Sequence, residues 1–178
     1  ARDWDELMRT VVDRTTVAMG VEVCSFYLLD RDGQTLTLAA TNGLDRSQVG
    51  SVSLSIGQGI TGRAAAERTP VTSSDVTSDE RFSWVRGFDI AGLRAMLSMP
   101  LVWDEQVVGV LNVQTETHRA FPAADVAQLS AIADLLAGIA TTRDTALGQA
   151  LRHCRELTGA TPGTLEAYLA VRGVRTLA

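Results

Sequence analysis

The sequence predicts an α+β domain: a central antiparallel sheet flanked by helices. Three observations carry this reading. Apolar residues recur at helical spacing near both ends of the 178-residue chain, while its middle holds short β-rich runs. Neighbouring runs are joined by tight turns, which suits antiparallel pairing. One run alternates apolar residues with serine, as a strand buried on one face does.

The elements follow in order. Trp4, Leu7, Met8, Val11, Val12 and Thr15 fall on one helical face, and Gly20 closes that helix after Met19. Val21 to Asp30 reads as a strand, Arg31-Asp32-Gly33 as a turn and Thr35 to Ala40 as the answering strand of a hairpin. After the Asn42-Gly43 turn, Val52, Leu54 and Ile56 alternate with serines in a half-exposed strand. Gly57 to Gly62 forms a corner into a short helix ending near Arg68, and Pro70 to Val76 is extended. An irregular stretch runs from Asp75 to Leu93. Arg94 to Val102 and Gln106 to Thr115 are strands joined by Trp103-Asp104-Glu105. Pro122 opens a long helix, with Asp125 in its first turn, where negative charge is favoured. Leu129, Ile132, Leu136, Ile139, Ala146 and Ala150 form a stripe along it, broken at Arg143, that can continue as a coiled-coil seam.

Composition removes several function classes. Apolar residues make up 46% and charged residues 21%, a globular balance, and the net charge of −5 argues against the whole surface tracking a nucleic acid. The chain has no lysine, so Schiff-base and Walker-A chemistry are excluded. Cys24 and Cys154 lie far apart without the Cys/His spacing of a zinc site, and two free thiols suit a reducing cytoplasm. The apolar runs read as shorter than a membrane span, no signal-peptide pattern opens the chain, and a first residue other than Met suggests a fragment.

Gly57-Gln58-Gly59-Ile60-Thr61-Gly62 matches G-x-G-x-x-G, but a serine-alternating strand precedes it and only about two helical turns follow. A dinucleotide site needs a buried parallel strand and a full crossover helix, so these glycines read as a tight strand-to-helix corner. His118 and His153 have no nucleophile in sequence context, and catalysis is not expected. The 75–93 stretch interleaves Phe82, Trp84 and Phe88 with charged residues. Such a loop either walls a small-molecule pocket or plugs an uncovered sheet face.

Taken as an ordered series, Gly57-x-Gly59-Ile60-x-Gly62, Pro70-Val71, Asp75-Val76, Arg81-Phe82, Ser98-Met99-Pro100-Leu101 and Gly109-Val110-Leu111-Asn112 resemble the GAF domain. The series is most similar to GAF modules of bacterial signalling proteins and phosphotransferase-system regulators. The resemblance implies a GAF-like sheet with the N- and C-terminal helices on one face and a short-helix and loop lid on the other, where the Gly57 corner and the 75–93 loop roof a ligand cavity, and homodimers held by the N- and C-terminal helices. Candidate ligand-binding residues are Cys24, Phe26, Ile60, Phe82, Trp84, Phe88, Met96 and Ser98, with Arg94 to grip an anionic group through its planar fork. The ligand is a small molecule of unknown identity. Asn112, Phe121 and Asp125 match the cyclic-nucleotide signature of some GAF domains, but Val113 and Val126 replace its lysine and glutamate. Cys24 precedes Ser25 and Cys154 precedes Arg155, unlike the cysteine–histidine pair of many bilin-binding members. The loop also lacks the cysteines of members that reduce free methionine sulfoxide.

The implied organisation is a GAF sensory domain over 1–142 and a helical extension over 143–178. It belongs to a cytoplasmic protein of bacterial signalling or transcription regulation, without membrane contact. Arg143-Asp144, Gly148-Gln149-Ala150 and Gly159-x-Thr161 resemble the start of the RNA-binding ANTAR module, and five arginines against three acids make the tail basic. The alternative function is therefore an RNA-binding antitermination regulator in which the GAF domain mainly dimerises. The other readings of the tail are a linker or dimer extension, and another helical element such as a helix-turn-helix remnant over Leu157 to Gly173, with Thr161-Pro162 opening its second helix.

Overall fold

A computed structural model of the chain describes residues 2–83 and 92–144. The chain forms two compact units, Ala1–Ala137 and Gly138–Ala178, and the second is described only through Asp144. Trp84, Phe88, His153, Cys154 and the ANTAR-like tail from residue 145 onward lie outside the described residues.

Helix α1 (Arg2–Met19) leads into strands β1 (Val23–Leu29) and β2 (Thr35–Asn42), then β3 (Ser53–Ser55), α2 (Gly59–Glu67) and β4 (Val71–Ser73). Strands β5 (Ala95–Trp103) and β6 (Gln106–Thr115) precede α3 (Ala123–Asp144). The sheet has six strands in the order β3-β2-β1-β6-β5-β4, with every pairing antiparallel. This is the α+β architecture that the turn-linked runs and terminal helices predicted.

Local chemistry explains the boundaries. Gly20, at φ 58°, ends α1 in a Schellman arrangement: its N–H reaches Val17 O at 3.3 Å and the Val21 N–H reaches Thr16 O at 3.2 Å. Asp32 Oδ1 accepts from the Gln34 and Thr35 backbone N–H groups, fixing the first hairpin. The second hairpin turns on Asp104 and Glu105, both at positive φ (48° and 61°), between the paired Trp103 and Gln106. A 3-10 turn at Arg46–Gln48, capped by Asp45, is an addition to the sequence reading.

The sheet has two buried faces. On one, Tyr27, Leu36, Leu38, Val71, Met96 and Val110 join Ile60 and Ala64 of α2 in a single apolar cluster. On the other, α1 packs on β1 and β2, burying Met8, Val12 and Thr15. Helix α3 buries Leu129, Ala133 and Leu136 and leaves Leu135 67% exposed. One sequence expectation needs correction here: Ala123–Thr141 is long and apolar enough to cross a membrane, with a hydropathy of 1.4. Asp125 and Asp134 interrupt that run, so no unbroken apolar stretch announces it. Leu129 and Leu136 of this helix are buried, while Leu135 stays exposed.

Candidate functional site

The glycine corner builds the floor of a cavity on the α2 face. Gly57 and Gly59 hold φ values of 84° and 64°, which let β3 turn sharply into α2. The Gly57 N–H donates to Gly62 O at 2.8 Å, and a Cβ at Gly62 would strike Ser55 O. Gln58 Oε1 accepts the Ser55 backbone N–H at 3.0 Å, fixing the strand end from the side. These interactions build the tight strand-to-helix corner that the glycines predicted.

Between α2 and the sheet lies a hollow with room for about 40 Å³ of water-sized occupants, enough for a few waters. Tyr27, Met96, Asn112 and Gln114 line its sheet side, Gly59, Ile60 and Thr61 its helix side, and Leu44, Phe82 and Ser83 its rim. Asn112, 2% exposed, donates from Nδ2 to Thr61 Oγ1 at 2.8 Å. Its Oδ1 is buried without a hydrogen-bond partner, as is Oγ of Ser98, the residue opposite it in the β5–β6 register. Burial pushes the Tyr27 phenol well above its usual range, so it stays protonated.

Of the sequence-derived candidates, Ile60, Phe82 and Met96 come together on this hollow. Ser98 sits on the same side of β5, two residues beyond Met96, without lining the hollow. Cys24 and Phe26 are a correction: they belong to the opposite side of β1. The Cys24 thiol is hydrogen-bonded to Thr15 of α1, and burial raises it far above the usual thiol range. Phe26 is 1% exposed and packs beside Gly109. β1 presents alternate residues to alternate faces, and Ser25 and Tyr27 are the ones turned toward α2. Arg94 precedes β5, gives Nη1 to its neighbour Leu93 O at 3.3 Å and does not line the hollow. Asn112, Gln114 and Thr61 are polar groups of the site that the list of candidates omitted. Asn112 had appeared in the cyclic-nucleotide comparison, and Thr61 stood inside the glycine motif.

A second, wider cleft of about 680 Å³ runs between residues 72–81 and 119–121. Both its arginines are engaged: Arg81 bonds Asp79 at 2.6 Å and Thr72 O at 2.8 Å. Arg119 pairs with Asp125 at 2.8 Å and lies 5.2 Å from the Phe121 ring centre. Arg119 also reaches Met19 O and Gly20 O, at 3.2 and 3.1 Å, joining the end of α1 to the start of α3.

Comparison with known proteins adds a family context. The family model described as "GAF domain" matches residues 1–139. A protein of the phosphoenolpyruvate-dependent phosphotransferase system from Escherichia coli is 30% identical over 135 residues, 76% of this chain. The chain spans only 18% of the length of that relative. Among solved structures, the GAF domain of an Acinetobacter phosphoenolpyruvate-protein phosphotransferase is 30% identical, with a TM-score of 0.72 over 79% of this chain and 83% of that one. Free methionine-R-sulfoxide reductase from Neisseria meningitidis shares the fold at 24% identity, with a TM-score of 0.66 over 84% and 83% of the two chains.

Proposed function

This chain belongs to the GAF domain family, and from that premise we propose that it is a sensory module whose α2-side cavity binds a small molecule. In this reading the chain forms a homodimer through its terminal helices and passes the binding signal to an output module of a larger cytoplasmic signalling protein. The relatives from phosphotransferase-system proteins support a regulatory setting of this kind. The observation that carries the reading is the hollow itself, lined by Asn112, whose Oδ1 is a buried acceptor without a partner. Burying such a group without a partner costs about 1–3 kcal/mol, a cost that an occupant able to donate a hydrogen bond would offset. The aliphatic, aromatic and amide lining suits holding a molecule rather than transforming it.

The test is native mass spectrometry of the chain purified from cells, beside an Ile60→Trp variant. The indole at position 60 fills the hollow from the α2 side. The expected result is a small-molecule adduct on the wild type that is lost from a folded Ile60→Trp protein. An adduct that persists in the variant, or none on either protein, would overturn the reading.

A further inference from the structure

If the chain senses a small molecule, as the reading above holds, the hollow has to open. Its room of about 40 Å³ takes a few waters, whereas a site that encloses an organic ligand measures roughly 300–1,000 Å³. The described walls differ in how readily they can yield. On the sheet side, Tyr27, Met96 and Asn112 belong to strands that are paired on both flanks. On the helix side, Ile60 and Thr61 are buried, and Thr61 is tied to Asn112 at 2.8 Å. The rim is held differently. Phe82 and Ser83 end a strap, residues 79–83, that side chains fasten to the outer strand β4. Arg81 Nε and Nη2 donate to the two Asp79 carboxylate oxygens at 2.9 and 2.6 Å, and Nη2 also donates to Thr72 O of β4 at 2.8 Å. The same carboxylate accepts the Arg81 backbone N–H at 3.0 Å and a hydrogen bond from the Ser73 side chain. The Phe82 N–H donates to Asp79 O at 2.9 Å, so the turn that Arg81 fastens is the one that carries Phe82 to the hollow. Ser83 then rests on the glycine corner: a Cβ on Gly59 would come within 3.1 Å of Ser83 Cβ. We infer that Arg81 is the latch of the hollow, a positioning residue that does not line it but holds Phe82 and Ser83 at its rim, and that the hollow opens when the guanidinium leaves Thr72 O. The Arg81 side chain is 39% exposed, so water can take over the released bond and the opening is reversible. An arginine suits the task because its planar fork reaches the carboxylate and the carbonyl together.

Thiol reactivity separates opening of the hollow from unfolding of the chain. In a Cys154→Ser background, Met96→Cys puts a thiol on the sheet wall of the hollow, while native Cys24 reports on the opposite side of the sheet, where burial protects it. The full chain is exposed to iodoacetamide for timed intervals under native conditions, and both thiols are followed by peptide mass spectrometry. Arg81→Ala should speed modification of the introduced thiol by about tenfold or more and change the Cys24 rate by less than about twofold, the pattern of a local opening. Arg81→Lys, which keeps the charge but not the fork, should give an intermediate rate at the introduced thiol with Cys24 still protected. Faster modification of the introduced thiol alone, in either variant, supports the latch. Equal acceleration of both thiols in both variants, or acceleration of neither, would overturn it. The adduct experiment with Ile60→Trp stands apart from this one. An adduct without a thiol response removes the latch and keeps the sensory reading, and a thiol response without an adduct does the reverse.

Discussion

Arg119 is the side chain on which the two terminal helices meet, and its removal gives the sharpest test of how unit 1 is held together. Its guanidinium donates to two carbonyls at the end of α1, Met19 O and Gly20 O, and to Asp125 in the first turn of α3. The carbonyls carry the negative end of the α1 dipole, and Asp125 lies at the positive end of α3, so one cation bridges two favourable fields. The ion pair is 28% and 19% exposed, well short of the fully solvated case in which such pairs contribute little. The carbonyl bonds, the partly buried pair and the Phe121 contact together contribute about 2 kcal/mol once competition from water is allowed for. For a domain of this size that corresponds to roughly 4–8 °C in Tm. Arg46→Ala supplies the comparison: Arg46 bonds Asp13 at the same 2.8 Å, but the pair is 52% and 41% exposed. Its loss should cost under about 1 kcal/mol. Arg119→Lys should fall between, since an ammonium keeps the charge but cannot fork across the carbonyls and the carboxylate. Thermal and urea melts of the three variants provide the measurement. An Arg119→Ala penalty no larger than that of Arg46→Ala would refute the reasoning.

Four further outcomes are expected. Hydrogen bonds from Arg81 hold the Asp79 carboxyl well below the usual carboxylate range, so its contribution is fully present above the unfolded pKa near 4 and is lost as pH falls through the lower folded value. Asp79→Asn should therefore lower the urea midpoint at neutral pH and flatten its decline below about pH 5. Gly62→Ala should destabilise by more than about 2 kcal/mol in a chemical melt, because the added Cβ meets backbone, Ser55 O and Gly57 N, rather than a movable side chain. Glu105→Gly should raise stability by about 0.5–1 kcal/mol by relieving the left-handed strain at φ 61°, read as a Tm gain of a few degrees. In a Cys154→Ser background, Cys24 should resist a thiol reagent in the native state and react fully in denaturant, since burial suppresses its thiolate.

Much of this architecture was legible in residue order. Hairpin turns at Asp32-Gly33 and Trp103-Asp104-Glu105 set neighbouring strands antiparallel, and the serine alternation of Ser53-Leu54-Ser55 marked a half-exposed strand with Leu54 inward, which the sheet order puts at an edge. The strand ends were less legible, because pairing stops where a neighbour ends: β4 keeps only Val71–Ser73 of the extended 70–76 stretch. Helix α1 buries Met8, Val12 and Thr15 but leaves Leu7 40% exposed, so spacing found the face without ranking its edges. The cavity was harder. A buried strand has no polar face to report orientation, and β1 reads Val-Cys-Ser-Phe-Tyr-Leu-Leu with its first five residues buried. Without its register to β6, Cys24 and Phe26 were as plausible a cavity lining as Ser25 and Tyr27. The useful signal was Asn112 within the apolar run Val110-Leu111-Asn112-Val113: a lone amide there needs a partner, and Thr61 is only half of one.

The same strand explains how an occupant could reach the helices. Asn112 faces the hollow, while Leu111 and Val113 on either side are fully buried on the opposite face. Val113 stands opposite Cys24 in the β1–β6 register, and Cys24 is bonded to Thr15 of α1. One residue of β6 therefore separates the proposed ligand contact from the layer that holds α1, and close packing leaves little slack to absorb a shift there. A ligand can exploit that path only through unequal affinity for two helix arrangements, and reversing a 1:99 preference requires about 5.5 kcal/mol of such inequality. One hydrogen bond to Asn112 falls short of that on its own. Under the proposed sensory reading, output would then require helix arrangements within a few kcal/mol of each other before anything binds, so that a modest change in the hollow is enough to tip them.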